Sequence, residues 1–215
     1  MAKLLADQFY LIAHDDRAGR SRLHPRATAL GLAAALVGEL VLLDRVRVYN
    51  GELFVVSREP PGDALTHDVL DLLIVQRQHR ELRMWLAFLA QDATVRVGER
   101  LIRAGVVEPV TRRGLWGSQT HYTPTSSEQR NAVAWAPVRL ANMLVQGRPM
   151  DLADQALAGL VSATGLTRYV LWDLPVHRAG MNYLYSVVES LPADLRELVE
   201  HTGASVGSVL AAGRR

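Results

Sequence analysis

ATALGLAAALVGELVLL, running from Ala27 to Leu43, carries one charge, Glu39, in seventeen residues. A helix that is apolar on every face has to be buried on every face. The run approaches the about 20 apolar residues that cross a bilayer. Two features argue against a span. Glu39 would sit in hydrocarbon at a cost of about 3 kcal/mol. Arg45 and Arg47 then follow in an alternating strand pattern instead of a polar loop. The stretch therefore reads as the central helix of a soluble domain, with the rest of the chain as its shell.

Pro25 suits the first turn of that helix, where its missing N–H costs nothing. Before it, Leu4, Leu5, Phe9, Leu11 and Ile12 mark an amphipathic helix, and residues 14–24 are a polar loop. After it, Val46 and Val48 alternate with Arg45, Arg47 and Tyr49, and Asn50-Gly51 supplies the two residues that a tight hairpin needs at positive φ. Leu53 to Val56 returns as the partner strand. Asp63 or Thr66 caps a helix to about Gln78. Helices over Arg80–Ala90 and Ala93–Ala104 follow, the last ended by Gly105. Val106, Val107 and Val110 begin a second hairpin, and Thr120 and Tyr122 lie on its return. Its tip holds Arg112, Arg113, Leu115 and Trp116.

Ser126 opens a long helix to about Gln146, with a kink expected at Pro137. Asp151 caps the next, Leu152 to Ala163. Met181–Leu191 and Leu195–Leu210 are the last, with Gly203 and Gly207 weakening the second. The pattern predicts a mostly α fold. It is one compact domain over residues 1–215, with a central buried helix and two β-hairpins, one of them protruding.

Composition narrows the functional classes. Apolar residues make up 49% of the 215, enough for a sizeable core. Without cysteine there is no disulfide framework and no thiolate zinc site. The net charge of +2 gives little support to a nucleic-acid binder. Lys3 is the one lysine, so the other basic residues are arginines, which favour bidentate contact with carboxylate or phosphate. Coding bias accounts for that surplus as well as a partner does. The N-terminus lacks the basic and apolar regions of a signal peptide, so a cytoplasmic location is expected.

Candidate sites are few. Leu115-Trp116 beside Arg112 and Arg113 suits a membrane interface, where tryptophan is enriched and each nearby basic residue contributes about 1 kcal/mol. It equally suits an oligomer contact. Arg77, Arg80 and Arg83, and again Arg96, Arg100 and Arg103, fall on single helical faces. Each trio is either a phosphate cradle or a solvated face neutralised by Glu81 and Glu99. Glu39 is a neutralised core acid or the partner of a buried arginine. His14, Asp15, Asp16 and His24 match no zinc or calcium spacing, so no metal is expected, and the two aspartates are read as acceptors of loop N–H groups or partners of arginine. Gly203-Ala-Ser-Val-Gly207 spells Gly-x-Ser-x-Gly, but no histidine follows Ser205 and a helical pattern precedes it, so small-residue packing is the better reading. No catalytic residue and no cofactor is expected.

The order of these pieces resembles the Golgi phosphoprotein 3 family. The resemblance rests on Phe9 to Gly19 with its Asp-Asp-x-x-Gly loop, on Gly31-Leu32, on Glu39-Leu-Val-Leu42, and on Glu99 to Val107 running into a hairpin. The Arg-rich, Lys-poor composition is that expected of a bacterial, GC-rich actinobacterial member. The resemblance implies a non-enzymatic peripheral membrane protein that binds phosphatidylinositol 4-phosphate or a similar anionic headgroup. Its hairpin would insert into the membrane or self-associate, and its place would be the cytoplasmic side of the membrane. The family's headgroup tryptophan falls at His24, one of its arginines at Ala33, and two more near Gln91 and Thr94. His24, Arg26, Arg96 and Arg100 are therefore the candidates for a substitute headgroup pocket. The expected partners are an anionic membrane lipid, a second copy of the chain through the hairpin, and a protein client. Two other readings compete. The three helices from Asp63 followed by a basic hairpin have the order of a winged-helix nucleic-acid binder. A self-associating protein without a lipid ligand is the other.

Overall fold

The computed structural model describes residues 4–114, 117–171 and 177–213, with the side chains of 111–114, 117–121, 127–128, 132 and 177 left out. The apolar run forms α2 (Pro25–Leu42), in which fourteen consecutive or near-consecutive residues from Ala27 to Val41 are buried. By length and composition alone α2 would cross a bilayer; here it is enclosed by α1 (Leu5–Ala13), α7 (Leu152–Thr164) and α10 (Ala193–Ala212), with the helices of the middle third on its remaining flank. Its composition is the cause: with no polar stripe, only a shell on all sides removes its surface from water.

Phe9 of α1 is fully buried and lies against Gly31. Any side chain at Gly31 would overlap the Phe9 ring, so Gly31 is a point of close contact between α1 and α2.

The first hairpin pairs β1 (Val46–Tyr49) with β2 (Glu52–Val55), with Val46 opposite Val55 and Tyr49 opposite Glu52. Asn50 and Gly51 have φ of 51° and 74°, the values of the tight turn that their identities predict. Val46, Val48 and Leu53 point into the core.

Three helices follow: α3 (Ala64–Val75), α4 (Leu82–Leu89) and α5 (Ala93–Arg103). Asp63 caps α3 by accepting from Thr66 N at 2.9 Å. The second hairpin pairs β3 (Val107–Gly114) with β4 (Gly117–Pro124), in register from Val107 opposite Pro124 to Gly114 opposite Gly117. Tyr122 anchors its base. A Cβ at Gly98 would stand 2.9 Å from the Tyr122 ring, and Tyr10 meets the same ring edge-on with centroids 6.3 Å apart.

The long helix α6 (Ser127–Gln146) runs through Pro137 and ends at Gly147 in the left-handed conformation. A bidentate pair, Arg139 to Asp154 at 2.7 Å on both arms, ties it to α7. The short α8 (Thr167–Val170) and α9 (His177–Ser190) complete the set with α10. Gly203 and Gly207 lie inside α10 and do not interrupt it. Ten helices and two separate antiparallel hairpins among the described residues make the mostly α fold that the apolar pattern predicted.

Candidate functional site

Glu39 is the partner of a buried arginine. The Arg100 guanidinium donates from Nε to Asp7 Oδ1 at 2.8 Å and from Nη1 to Asp63 Oδ2 at 2.9 Å. It also grips both oxygens of Glu39, at 3.0 and 3.1 Å. One cation thus faces three carboxylates inside the protein. Backbone and hydroxyl donors share the excess negative charge. Glu39 Oε1 accepts from Ala6 N at 2.8 Å and so caps α1, which has no side-chain cap of its own. Asp63 caps α3, and the Thr66 hydroxyl lies within reach of both Glu39 and Asp63. Two helix N-termini therefore converge on the cluster with their positive ends.

These surroundings set the protonation of its members. Burial pushes Asp7 up to about 6, against the opposing pull of Arg100. Burial also acts to raise Asp63, but the Thr66 N–H and the Arg100 bonds outweigh it and leave Asp63 below its ordinary value. The cluster fastens α1, α2, α3 and α5 to one another.

This placement sets Arg100 apart from the other residues of the expected headgroup pocket. Arg100 is 5% exposed, and each of its three nitrogens is bonded to a carboxylate of this chain. It also lies far from His24. Glu39 is fifteen residues beyond His24 along α2, about 22 Å of helix rise. Arg96 is bonded to Asp68 at 2.7 Å. His24 and Arg26 are exposed at the first turn of α2, where His24 Nδ1 accepts from Arg26 N at 3.3 Å. The four candidates do not converge on one pocket. Leu115 and Trp116 lie outside the described residues, as do the side chains of Arg112 and Arg113.

The polar loop matches its expected role. Asp15 Oδ1 accepts from Arg17 N and Ala18 N at 3.0 and 2.8 Å, and Arg22 stands 3.9 Å from both Asp15 and Asp16. Among the described residues no group of three His, Asp or Glu has the arrangement of a metal site. Ser205 lies within α10 and donates to His201 O at 2.8 Å, a helix contact and not a nucleophile elbow.

Sequence periodicity put Arg77, Arg80 and Arg83 on one helical face, and the structure corrects this. α3 stops at Val75 and α4 starts at Leu82, so Arg77 and Arg80 occupy the connection between them. That connection is stitched to the first hairpin: Leu53 N donates to Arg80 O at 2.7 Å and Leu82 N to Gly51 O at 2.8 Å. Trp85 Nε1 donates to His79 O at 2.8 Å from the other side. The result is a cavity of about 270 Å³ between β2 and the end of α3, with Arg58, Arg77, His79 and Arg80 on its wall. Among the described residues none of the three arginines has a carboxylate partner; Arg80 lies over the Phe54 ring at 5.2 Å. Val56 and Val75 beside them are 54% and 73% exposed. Across His79 lies an apolar groove of about 220 Å³, lined by Leu72, Gln76, Met84, Trp85 and Phe88. Sequence reading had the arginines but missed the site, because Arg58 reaches it from a different part of the chain.

No curated protein sequence matches the chain. The family model for Golgi phosphoprotein 3 (GPP34) matches residues 5–202, which takes in the apolar core helix, both hairpins and nearly all of the helical shell, and the chain therefore belongs to the Golgi phosphoprotein 3 family.

Proposed function

We propose that this protein is a non-enzymatic peripheral membrane protein that attaches to anionic phospholipid on the cytoplasmic face, with phosphatidylinositol 4-phosphate the headgroup that family membership suggests. One observation carries the proposal. Arg58, Arg77 and Arg80 line one cavity without acid partners among the described residues; exposed Val56 shares its wall, and exposed Met84 and Phe88 line the neighbouring groove. Guanidinium groups beside an anionic surface contribute about 1 kcal/mol each, and apolar side chains among them add a second, independent signal. Exposed Glu52 and Glu81 lie at the edge of this surface and limit its net charge.

The pairing of α5 gives the nucleic-acid reading less support. In α5, Arg96 and Arg100 are both held by carboxylates of this chain, so two of its cations do not face a duplex.

Sedimentation with vesicles tests the proposal. The protein should pellet with phosphatidylcholine vesicles that also contain phosphatidylserine or phosphatidylinositol 4-phosphate. It should stay in solution with phosphatidylcholine alone, and be released by high salt. No binding to either anionic vesicle at low salt would overturn it.

A further inference from the structure

We infer that Arg45 is a positioning residue for this basic face: it holds the segment that carries Arg58, and it keeps the Glu59 carboxylate from neutralising the cavity arginines. This rests on the membrane reading above and names what keeps its cations free.

Arg45 follows the end of α2, where Asp44 takes a φ of 55° and turns the chain out of the helix. Its backbone and its side chain then grip one segment. The Arg45 carbonyl accepts from Val56 N at 2.9 Å and from Ser57 N at 3.2 Å. The guanidinium donates from Nε to Glu59 O and from Nη1 to Leu43 O, both at 2.8 Å. Its Nη2 lies 2.7 Å from Glu59 Oε2. All three nitrogens are used, and the chain is fixed on either side of Arg58. Pro60 and Pro61 follow with φ locked by their rings, and Pro61 is buried, so the segment is stiff beyond Glu59 as well. Arg58, between the fixed points, is exposed and lines the cavity.

Charge matters here as much as position. Glu59 is the acid next to Arg58 in the chain, and its side chain is 71% exposed. Released from Arg45, its carboxylate would offset one of the three cavity charges. An ion pair at the surface is usually worth little, because two long side chains must be held in one geometry. That cost is small at Arg45. Its side chain is 16% exposed, and two backbone carbonyls already hold its planar fork. Glu59 is therefore consumed by Arg45, and Arg58, Arg77 and Arg80 keep their charge for an outside anion.

A double-mutant cycle with Arg45→Gln and Glu59→Gln tests this by sedimentation with vesicles of phosphatidylcholine and phosphatidylserine. Glu59→Gln alone should change affinity by less than about twofold, because Arg45 already neutralises the acid. In the Arg45→Gln background the same change should raise affinity about fivefold, the effect of one guanidinium regained. If Arg45 served stability alone, Glu59→Gln would act equally in both backgrounds, and that result overturns the inference. Phenylglyoxal, which modifies unpaired guanidinium groups, gives a second readout without lipid. Labelling of Arg58, followed by mass spectrometry, should slow at least about twofold in Arg45→Gln and recover in the double variant. Equal labelling in wild type and Arg45→Gln overturns the inference even where vesicles bind. No vesicle binding by wild type removes the membrane reading, and the labelling of Arg58 then decides the role of Arg45. Circular dichroism checks that the variants keep the fold.

Discussion

Arg100 shows why a charge in the interior needs every partner it has. It is bonded to Asp7, Glu39 and Asp63, and removing it leaves three carboxylates buried without a cation. Arg100→Gln should lower stability by about 3–5 kcal/mol, the usual cost of breaking a buried ion pair from one side, read from the urea midpoint. Asp7 adds a pH dependence. Its folded pKa, about 6, lies above its ordinary value of 3.8, so between those values the folded state holds a proton that the unfolded state has lost. Stability from this group is therefore complete at low pH and declines as pH rises through 6, by up to about 1.4 kcal/mol per unit. Asp63, held below its ordinary value, acts in the opposite sense and loses its contribution only at more acid pH. Wild type should gain stability between pH 7 and pH 5 relative to Asp7→Asn, which cannot take up that proton; equal slopes for the two would contradict the assignment. Glu39 was conspicuous in sequence as the one charge in an apolar run. Sequence did not join its three charged companions to it, because they come from distant parts of the chain.

Among the elements, α2 was legible because it depends on hydrophobicity alone. Its close contact with α1 at Gly31 was legible only as a family motif. Gly31 belongs to that motif, and the structure supplies the reason, which is the Phe9 ring packed where a side chain would begin. Gly31→Ala should cost about 1–3 kcal/mol through overpacking, measured by thermal or urea unfolding. A compensating Phe9→Leu should recover part of the loss. The connection between α3 and α4 went the other way. Three arginines spaced by three residues satisfy helical periodicity, and the segment from Gln76 to Glu81 is nonetheless drawn to the hairpin by the Leu53 and Leu82 backbone bonds. Tertiary hydrogen bonding overrode a local pattern. Gly203 and Gly207 show a similar effect, since α10 continues through both while its buried face packs on α2 and α7.

Taken whole, the molecule presents basic groups at both ends of α2. His24 and Arg26 mark its N-terminal end, and the hairpin that follows its C-terminal end carries the cavity of Arg58, Arg77 and Arg80. The two ends can be told apart by vesicle binding. Arg77→Gln with Arg80→Gln should reduce affinity for anionic vesicles by about 30-fold, equivalent to two lost contacts of about 1 kcal/mol each. His24→Gln with Arg26→Gln should change it by less. The reverse order would move the membrane-facing surface to the N-terminal end of α2.

Hydrophobic pattern and turn residues were enough to identify the buried helix, the Asn50-Gly51 hairpin, the caps at Asp63, Ser126 and Asp151, and the family order. Each of these depends on residues near one another in the chain, where the physics is local. Which arginines stay free and which are consumed was decided by packing. Arg100 was drawn inside by carboxylates up to ninety-three residues away, while Arg58 and Arg80 meet only because a hairpin and an interhelical connection share hydrogen bonds. Charge pairing acts through space, and only the assembled fold decides which side chains lie within reach of each other.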